Sequence, residues 1–294
     1  MPAHRISLAR AERFVWLSAR VLDQRRFAYH FLDGPPDAVE DALAAYRNPD
    51  HGYGHALDPR LRGPASQPLH AAAALRVLDE IGRCHGHRTE RLCRYLTAVS
   101  TPEGALPAVH PSQHGYPVAP WLPVPDPGAS PPSDLLATGP VVGLLHRGNV
   151  WDAWLFRATD YCWAAVEDLR TEDPARLAAA LAFLDGARDR PRAEAAADRL
   201  GRTVRRLLSG PAGGPVLPCV LAPTPRSLAR RWFTDGDLER CLADLASRQQ
   251  DDGGWPPATP RWPGGSEAAR RAEATIDALR TLRAYGYPLS RRSR

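Results

Sequence analysis

Along most of this chain apolar side chains recur at intervals of three and four, the spacing that gathers them on one face of an α-helix. The pattern predicts helical segments over residues 7–32, 36–47, 69–82, 88–99, 135–147, 151–169, 174–187, 193–208, 237–248 and 267–285, with no convincing strand pair. Ser133 before Asp134, Asp173 before Pro174 and Asp235 ahead of 237–248 offer N-caps. Gly34, Gly82, Gly148, Gly210 and Gly286 stand at or just beyond helix ends, where a left-handed residue is best tolerated as glycine. Pro140 is expected to kink or interrupt its helix, because its ring clashes with the preceding turn and it has no N–H to donate. Two stretches, 106–132 and 211–227, are too proline-dense for helix and are read as loops over one end of a helical ring.

An internal repeat organises these segments. AYRNPDHGYGHA (45–56), AVSTPEGALPAV (98–109) and ASRQQDDGGWPPA (246–258) align without gaps, so that Asp50, Glu103 and Asp252 coincide, then His51, Gly104 and Gly253, then Tyr53, Leu106 and Trp255. Each copy reads as a helix stop, a tight turn and one apolar or aromatic side chain folded back on the helix ends. After each comes an Ala- or Leu-rich helix, 69–82, 135–147 or 267–285, suited to an inner ring. The more amphipathic 88–99, 151–169 and 237–248 suit an outer ring. Alternating outer and inner helices that close on themselves predict an all-α fold, a single α/α toroid spanning 1–294 with a central cavity.

RQQDDGGWP at 248–256 resembles the glutamine-and-tryptophan motif repeated in squalene-hopene and oxidosqualene cyclases. NPDHGYGHALDPRLRGPASQPLHAAAALRVLDEIG at 48–82 is similar to bacterial proteins carrying prenyltransferase and squalene-oxidase repeats. The resemblance, to the terpenoid cyclase and protein prenyltransferase superfamily, implies the α/α toroid. It implies too that Gln250, Gly254 and Trp255 tie helix ends together rather than touch a substrate. An isoprenoid or similarly apolar small molecule is the partner it suggests. Chemistry does not follow from fold, however, and the DxDD-type acid motif of class II cyclases is missing.

Composition narrows the field. Every basic residue other than histidine is arginine; with abundant Ala, Gly and Pro this points to a GC-rich, actinobacterial genome. The net charge of +5 is modest, and the arginines alternate with acids at helical spacing, a solvated-face pattern rather than a nucleic-acid stripe. No apolar run reaches the roughly 18 residues of a membrane span. The N-terminus has no signal-peptide h-region. Cys84, Cys93, Cys162, Cys219 and Cys241 are odd in number and scattered, which predicts free thiols in a reducing, cytoplasmic compartment.

The candidate chemistry lies mainly in 50–70. His55 and Asp58 there, with Asp134 at the start of the 135–147 segment, are the acid–base candidates. Tyr53, Arg62, Gln67 and, in the first Pro-rich loop, Trp121 are the substrate contacts, with His110, His114 and Tyr116 as further caps of the cavity. A well-bonded loop fixed by an Asp58–Arg62 pair is the structural alternative. Asp160 and Cys162 reproduce the first zinc-ligand spacing of protein prenyltransferases, but the last histidine, His146, precedes them, so no metal and no cofactor is expected. Cys84-His85-Gly86 matches only a three-residue element of lanthionine cyclases. The expected function is cyclisation or rearrangement of an apolar substrate by acid–base chemistry; the alternative is a non-catalytic toroid that binds a ligand or a protein partner.

Overall fold

The computed structural model describes residues 6–128, 130–171, 173–208, 217–257 and 267–290. The chain is mostly helical, with twelve α-helices among the described residues, none long and apolar enough to cross a membrane. Its described residues separate into two compact units, one comprising those of 6–42, 201–257 and 267–290, the other those of 43–200.

In the first unit, α1 (Leu8–Ser18), α2 (Val21–Phe31), α10 (Leu217–Leu221), α11 (Asp235–Ser247) and α12 (Glu267–Ala284) surround a core that includes Phe14, Phe27, Trp255, Ile276 and Leu279. α3 (Pro36–Ala44) follows α2. The segment expected over 7–32 is two helices. Arg20 is extended at their junction, and the Gln24 amide donates to the carbonyls of Trp16 and Ala19, groups a continuous helix would have used. A buried ion pair, Arg26 with Asp23 at 3.1 Å, stands on α2. Ile6–Ser7 and Leu289–Ser290 pair as parallel two-residue strands, too short to leave an alternating pattern in the sequence. Within the proline-rich 211–227 stretch α10 is helical, because Pro218 sits in its first turn, where the missing N–H costs nothing. Gly210 and residues 211–216 lie outside the described residues. The expectation of free thiols fails for Cys219 and Cys241, which form a disulfide.

The second unit is layered. α4 (Pro68–Glu80), α6 (Leu135–Arg147) and α8 (Pro174–Gly186) form one row, α6 packing on both of its neighbours. α5 (His87–Val99) and α7 (Ala153–Glu167) pack against each other and against that row. α9 (Arg190–Leu208) follows α8. α6 is buried around nearly its whole circumference. It meets α8 through glycines: a Cβ on Gly143 would lie 2.0 Å from the Ala182 carbonyl oxygen. Pro140 does not interrupt α6; the helix continues to Arg147. Asp173 caps α8 as expected, with Pro174 at its first position. The cap of α6 is Asp134 rather than Ser133, and that of α11 is Thr234, in a reciprocal capping box with Asp237, rather than Asp235.

The three repeat turns share one hydrogen-bond pattern. The N–H of Asn48, Thr101 and Gln250 donates to the carbonyl of Gly52, Ala105 and Gly254, at 3.0, 2.8 and 2.9 Å. The N–H of His51, Gly104 and Gly253 returns to the carbonyl of Asn48, Thr101 and Gln250. Those same three residues have φ of 70°, 87° and 95°, which explains glycine in two copies and makes His51 the strained member. Tyr53, Leu106 and Trp255 are all buried. The backbone N–H of Leu106 and of Trp255 donates to a helical threonine, Thr138 and Thr275, at 2.8 and 2.9 Å.

Candidate functional site

The residues singled out in 50–70 are mostly spent on one another and on the first Pro-rich loop. Asp58 is buried and grips Arg60, whose Nε lies 2.9 Å from Oδ1 and whose terminal nitrogen lies 2.5 Å from Oδ2. The pairing partner is thus Arg60 and not Arg62, because the turn carries Arg60 back over the carboxylate while the backbone of Arg62 bonds Pro117. Burial alone would push the Asp58 carboxyl up; the charge and hydrogen bonds of Arg60 outweigh it and hold the group below its ordinary value. Asp58 also donates its N–H to His70 Nδ1 at 2.9 Å.

His55 is exposed, and its Nε2 lies 2.9 Å from Asn48 Oδ1. Gln67 is fully buried: its Oε1 accepts from the His110 N–H at 2.8 Å and its Nε2 donates to Ser112 Oγ at 2.9 Å. Asp134 caps α6 through the Leu136 N–H. Gln67 and Asp134 occupy equivalent places in the repeat. Each precedes a helix, α4 or α6, and donates its N–H to the carbonyl of the folded-back residue, Tyr53 or Leu106, at 3.0 and 3.1 Å. Trp121 is 41% exposed. Of the seven candidates, the five between 53 and 67 share one bonded loop assembly, while Asp134 serves the second turn.

The Gln250, Gly254 and Trp255 triad does tie helix ends. Trp255 Nε1 donates to the Leu245 carbonyl of α11 at 2.7 Å, and Arg271 of α12 holds Gln250 Oε1 and both oxygens of Asp252. Cys162 is a packed thiol that burial pushes well above its ordinary value, and burial pushes those of Cys84 and Cys93 to about 12. None is a poised nucleophile.

A pocket of about 290 Å³ opens elsewhere in the second unit. One of its walls is a single face of α7: Asp152, Leu155, Phe156, Thr159, Asp160 and Trp163 follow the three-and-four spacing of a helical stripe. His146 comes from the last turn of α6, and Ala187, Arg188 and Asp189 from the α8–α9 connection. Trp151 and Phe156, 62% and 58% exposed, have ring centroids 6.1 Å apart. The Arg188 guanidinium lies 3.7 Å from the Trp151 ring centre and donates to the Val150 carbonyl at 2.6 Å.

His146 is 8% exposed. Its Nε2 lies 2.9 Å from Thr159 Oγ1, and that hydroxyl donates its only proton to the Leu155 carbonyl at 2.6 Å. Nε2 must therefore carry the imidazole proton, leaving Nδ1 a bare acceptor. Nδ1 is buried and makes no hydrogen bond among the described residues. Burial, helped by the nearby Arg188 charge, lowers the imidazole to about 4, so the ring is neutral at pH 7. Sequence reasoning passed over this site because His146 was weighed only as a zinc ligand; the legible signal was the aromatic and acidic stripe along 152–163.

No protein-family model matches the chain, and neither does any curated protein. Among solved structures it is similar to the crystal structure of a protein from Actinoplanes, with 16% identity and a TM-score of 0.56 over 95% of this chain and 89% of that one. A likeness at that identity bears on the fold alone.

Proposed function

We propose that this chain is a small-molecule-binding protein of the terpenoid-cyclase-like α/α-toroid kind, whose ligand is a compact apolar molecule held in the pocket beside His146. The toroid reading is supported by the recurrence of one turn at three places and by the row of α4, α6 and α8 backed by α5 and α7. The observation that carries the function is the pocket itself: Leu155, Phe156 and Trp163 line it next to a neutral imidazole. At about 290 Å³ it falls at the small end of ligand sites, roughly 300–1,000 Å³, which favours a short isoprenoid or similarly compact body over a long polyprenyl chain.

Binding is favoured over acid-initiated cyclisation because the candidate acids are engaged. Asp58 is held ionised by Arg60 and Asp134 caps a helix, so neither is a ready proton donor. The test is native mass spectrometry of the protein purified from its host, with extraction and identification of what it carries. The expected result is one small molecule per chain, lost in the Trp151→Ala, Phe156→Ala double variant, whose side chains are exposed and contribute little to the core. An empty wild-type protein, or undiminished occupancy in the variant, refutes the assignment.

A further inference from the structure

Independently of that pocket, we propose that the first repeat turn and α5 form a second binding site, which takes the phosphate group of a small soluble molecule. His51 is its centre. Its φ of 70° lies in the left-handed region, where the other two copies of the turn carry glycine, Gly104 and Gly253. A side chain held at such a position costs backbone strain, and strain of this kind collects at binding sites, where the side chain serves something other than the fold.

The turn makes His51 a donor. A terminal nitrogen of Arg47 lies 3.2 Å from its Nδ1, and a guanidinium only donates, so Nδ1 accepts. The imidazole proton is therefore on Nε2, which makes no hydrogen bond among the described residues. The backbone beside it lies against α5: a Cβ on Gly52 would sit 2.9 Å from a ring carbon of Tyr95. Arg91 stands one turn before Tyr95 on the same face, and Arg94 is the residue next to it. Neither arginine makes a hydrogen bond or ion pair among the described residues, not even with Glu90, four residues before Arg94. Loss of water and then the charges of Arg47, Arg91 and Arg94 lower the His51 imidazole, while Asp50 raises it. Asp50 is spent on the turn, its Oδ1 accepting from the Gly52 N–H at 2.9 Å and the Ser66 hydroxyl at 2.8 Å. The site thus offers Nε2–H and three guanidinium groups, donors from two elements. A phosphate dianion answers such a set with several acceptor oxygens and two charges, which guanidinium groups grip in pairs. A carboxylate brings two oxygens and one charge.

Inorganic phosphate and acetate are the probes, titrated at neutral pH and constant ionic strength. Phosphorus NMR line widths read phosphate binding, saturation-transfer NMR reads acetate, and the His51 ring signals report the site. Phosphate is expected to bind more tightly than acetate by roughly fivefold or more, the scale of one further partly exposed ion pair. It is also expected to raise the His51 pKa, because a bound dianion favours the imidazolium. Arg91→Gln and Arg94→Gln should each weaken phosphate binding by roughly threefold to fivefold, with circular dichroism verifying that the variants fold. His51→Gly should weaken it too, while matching or exceeding wild type in urea unfolding, since glycine relieves the strain. Acetate binding as tightly as phosphate, or full phosphate affinity in the Arg91→Gln, Arg94→Gln double variant, overturns the proposal. A His51→Gly protein less stable than wild type also overturns it, by making the histidine part of the fold. Anionic phospholipid vesicles or a single-stranded DNA oligonucleotide that perturb the His51 ring signals where free phosphate does not would overturn the small-molecule assignment. None of these results bears on the pocket beside His146.

Discussion

Gly143→Ala tests how tightly α6 and α8 are pressed together. A methyl group there would sit 2.0 Å from the Ala182 carbonyl oxygen and 3.0 Å from the Phe183 Cα, both backbone atoms that cannot rotate aside. Ordinary contact begins near 3.4 Å, so the helices must separate by more than about 1 Å. Gly186 meets the Gly143 carbonyl equally closely from the other side, which removes any easy tilt. A gap of that size forfeits a quarter to a half of each van der Waals contact along the shared face. Overpacking of this kind costs ~1–3 kcal/mol or more, against which alanine regains up to ~1 kcal/mol of helix propensity. Because the clash is with backbone, we expect the upper end of that range and a net loss of about 2 kcal/mol, lowering Tm by roughly 4 to 8 °C for a chain of this size. Gly236→Ala is the control. It lies in α11, nothing comes closer than 3.5 Å to the added methyl, and it should stabilise by about 0.5 kcal/mol. Urea and thermal unfolding followed by circular dichroism measure both. A Gly143→Ala protein within 0.5 kcal/mol of wild type, on the scale of an ordinary surface substitution, would refute the close-packing argument.

Two further outcomes follow from single hydrogen-bonded groups. His146 has its folded pKa lowered from 6.5 to about 4, so its contribution to stability is complete above pH 6.5 and is lost as pH falls toward 4. Between pH 7 and 5 this amounts to about 1–2 kcal/mol, seen as a steeper acid limb of Tm against pH in wild type than in His146→Gln; superimposable profiles would contradict it. Thr138→Val and Thr275→Val each leave a buried repeat-turn N–H, of Leu106 or Trp255, without its acceptor. Each should cost ~1–3 kcal/mol in urea unfolding, and a neutral result at either site would mean that the two turns are not equivalent.

The helices and the repeat turn were legible in the sequence because both are local. The period of apolar residues places a helix, and a turn of five residues closes its own hydrogen bonds, so Asn48, Thr101 and Gln250 could be aligned from the chain alone and prove to bond alike. The bland part of the loop reading held as well: 50–70 is a bonded assembly. Its partners were misassigned, since the choice of Arg60 over Arg62 depends on one residue of turn geometry, and the role of Gln67 depends on a loop more than forty residues away. The Cys219–Cys241 disulfide was missed for the same reason, because pairing depends on distance in space and their spacing in sequence says nothing of it.

The sequence by itself therefore determined a mostly helical chain and most of the places where its helices lie. Tertiary structure alone decided where a ligand could sit. The pocket needs the end of α6, one face of α7 and the α8–α9 connection at once, and no local pattern requires those three to meet. Their meeting is set by how closely Gly139, Gly143 and Gly186 let α6 and α8 approach, a matter of backbone-to-backbone distance that residue type permits but cannot announce. The neutrality of His146 belongs to the same level, since only burial beside Thr159 and Arg188 fixes its proton on Nε2 and leaves Nδ1 bare.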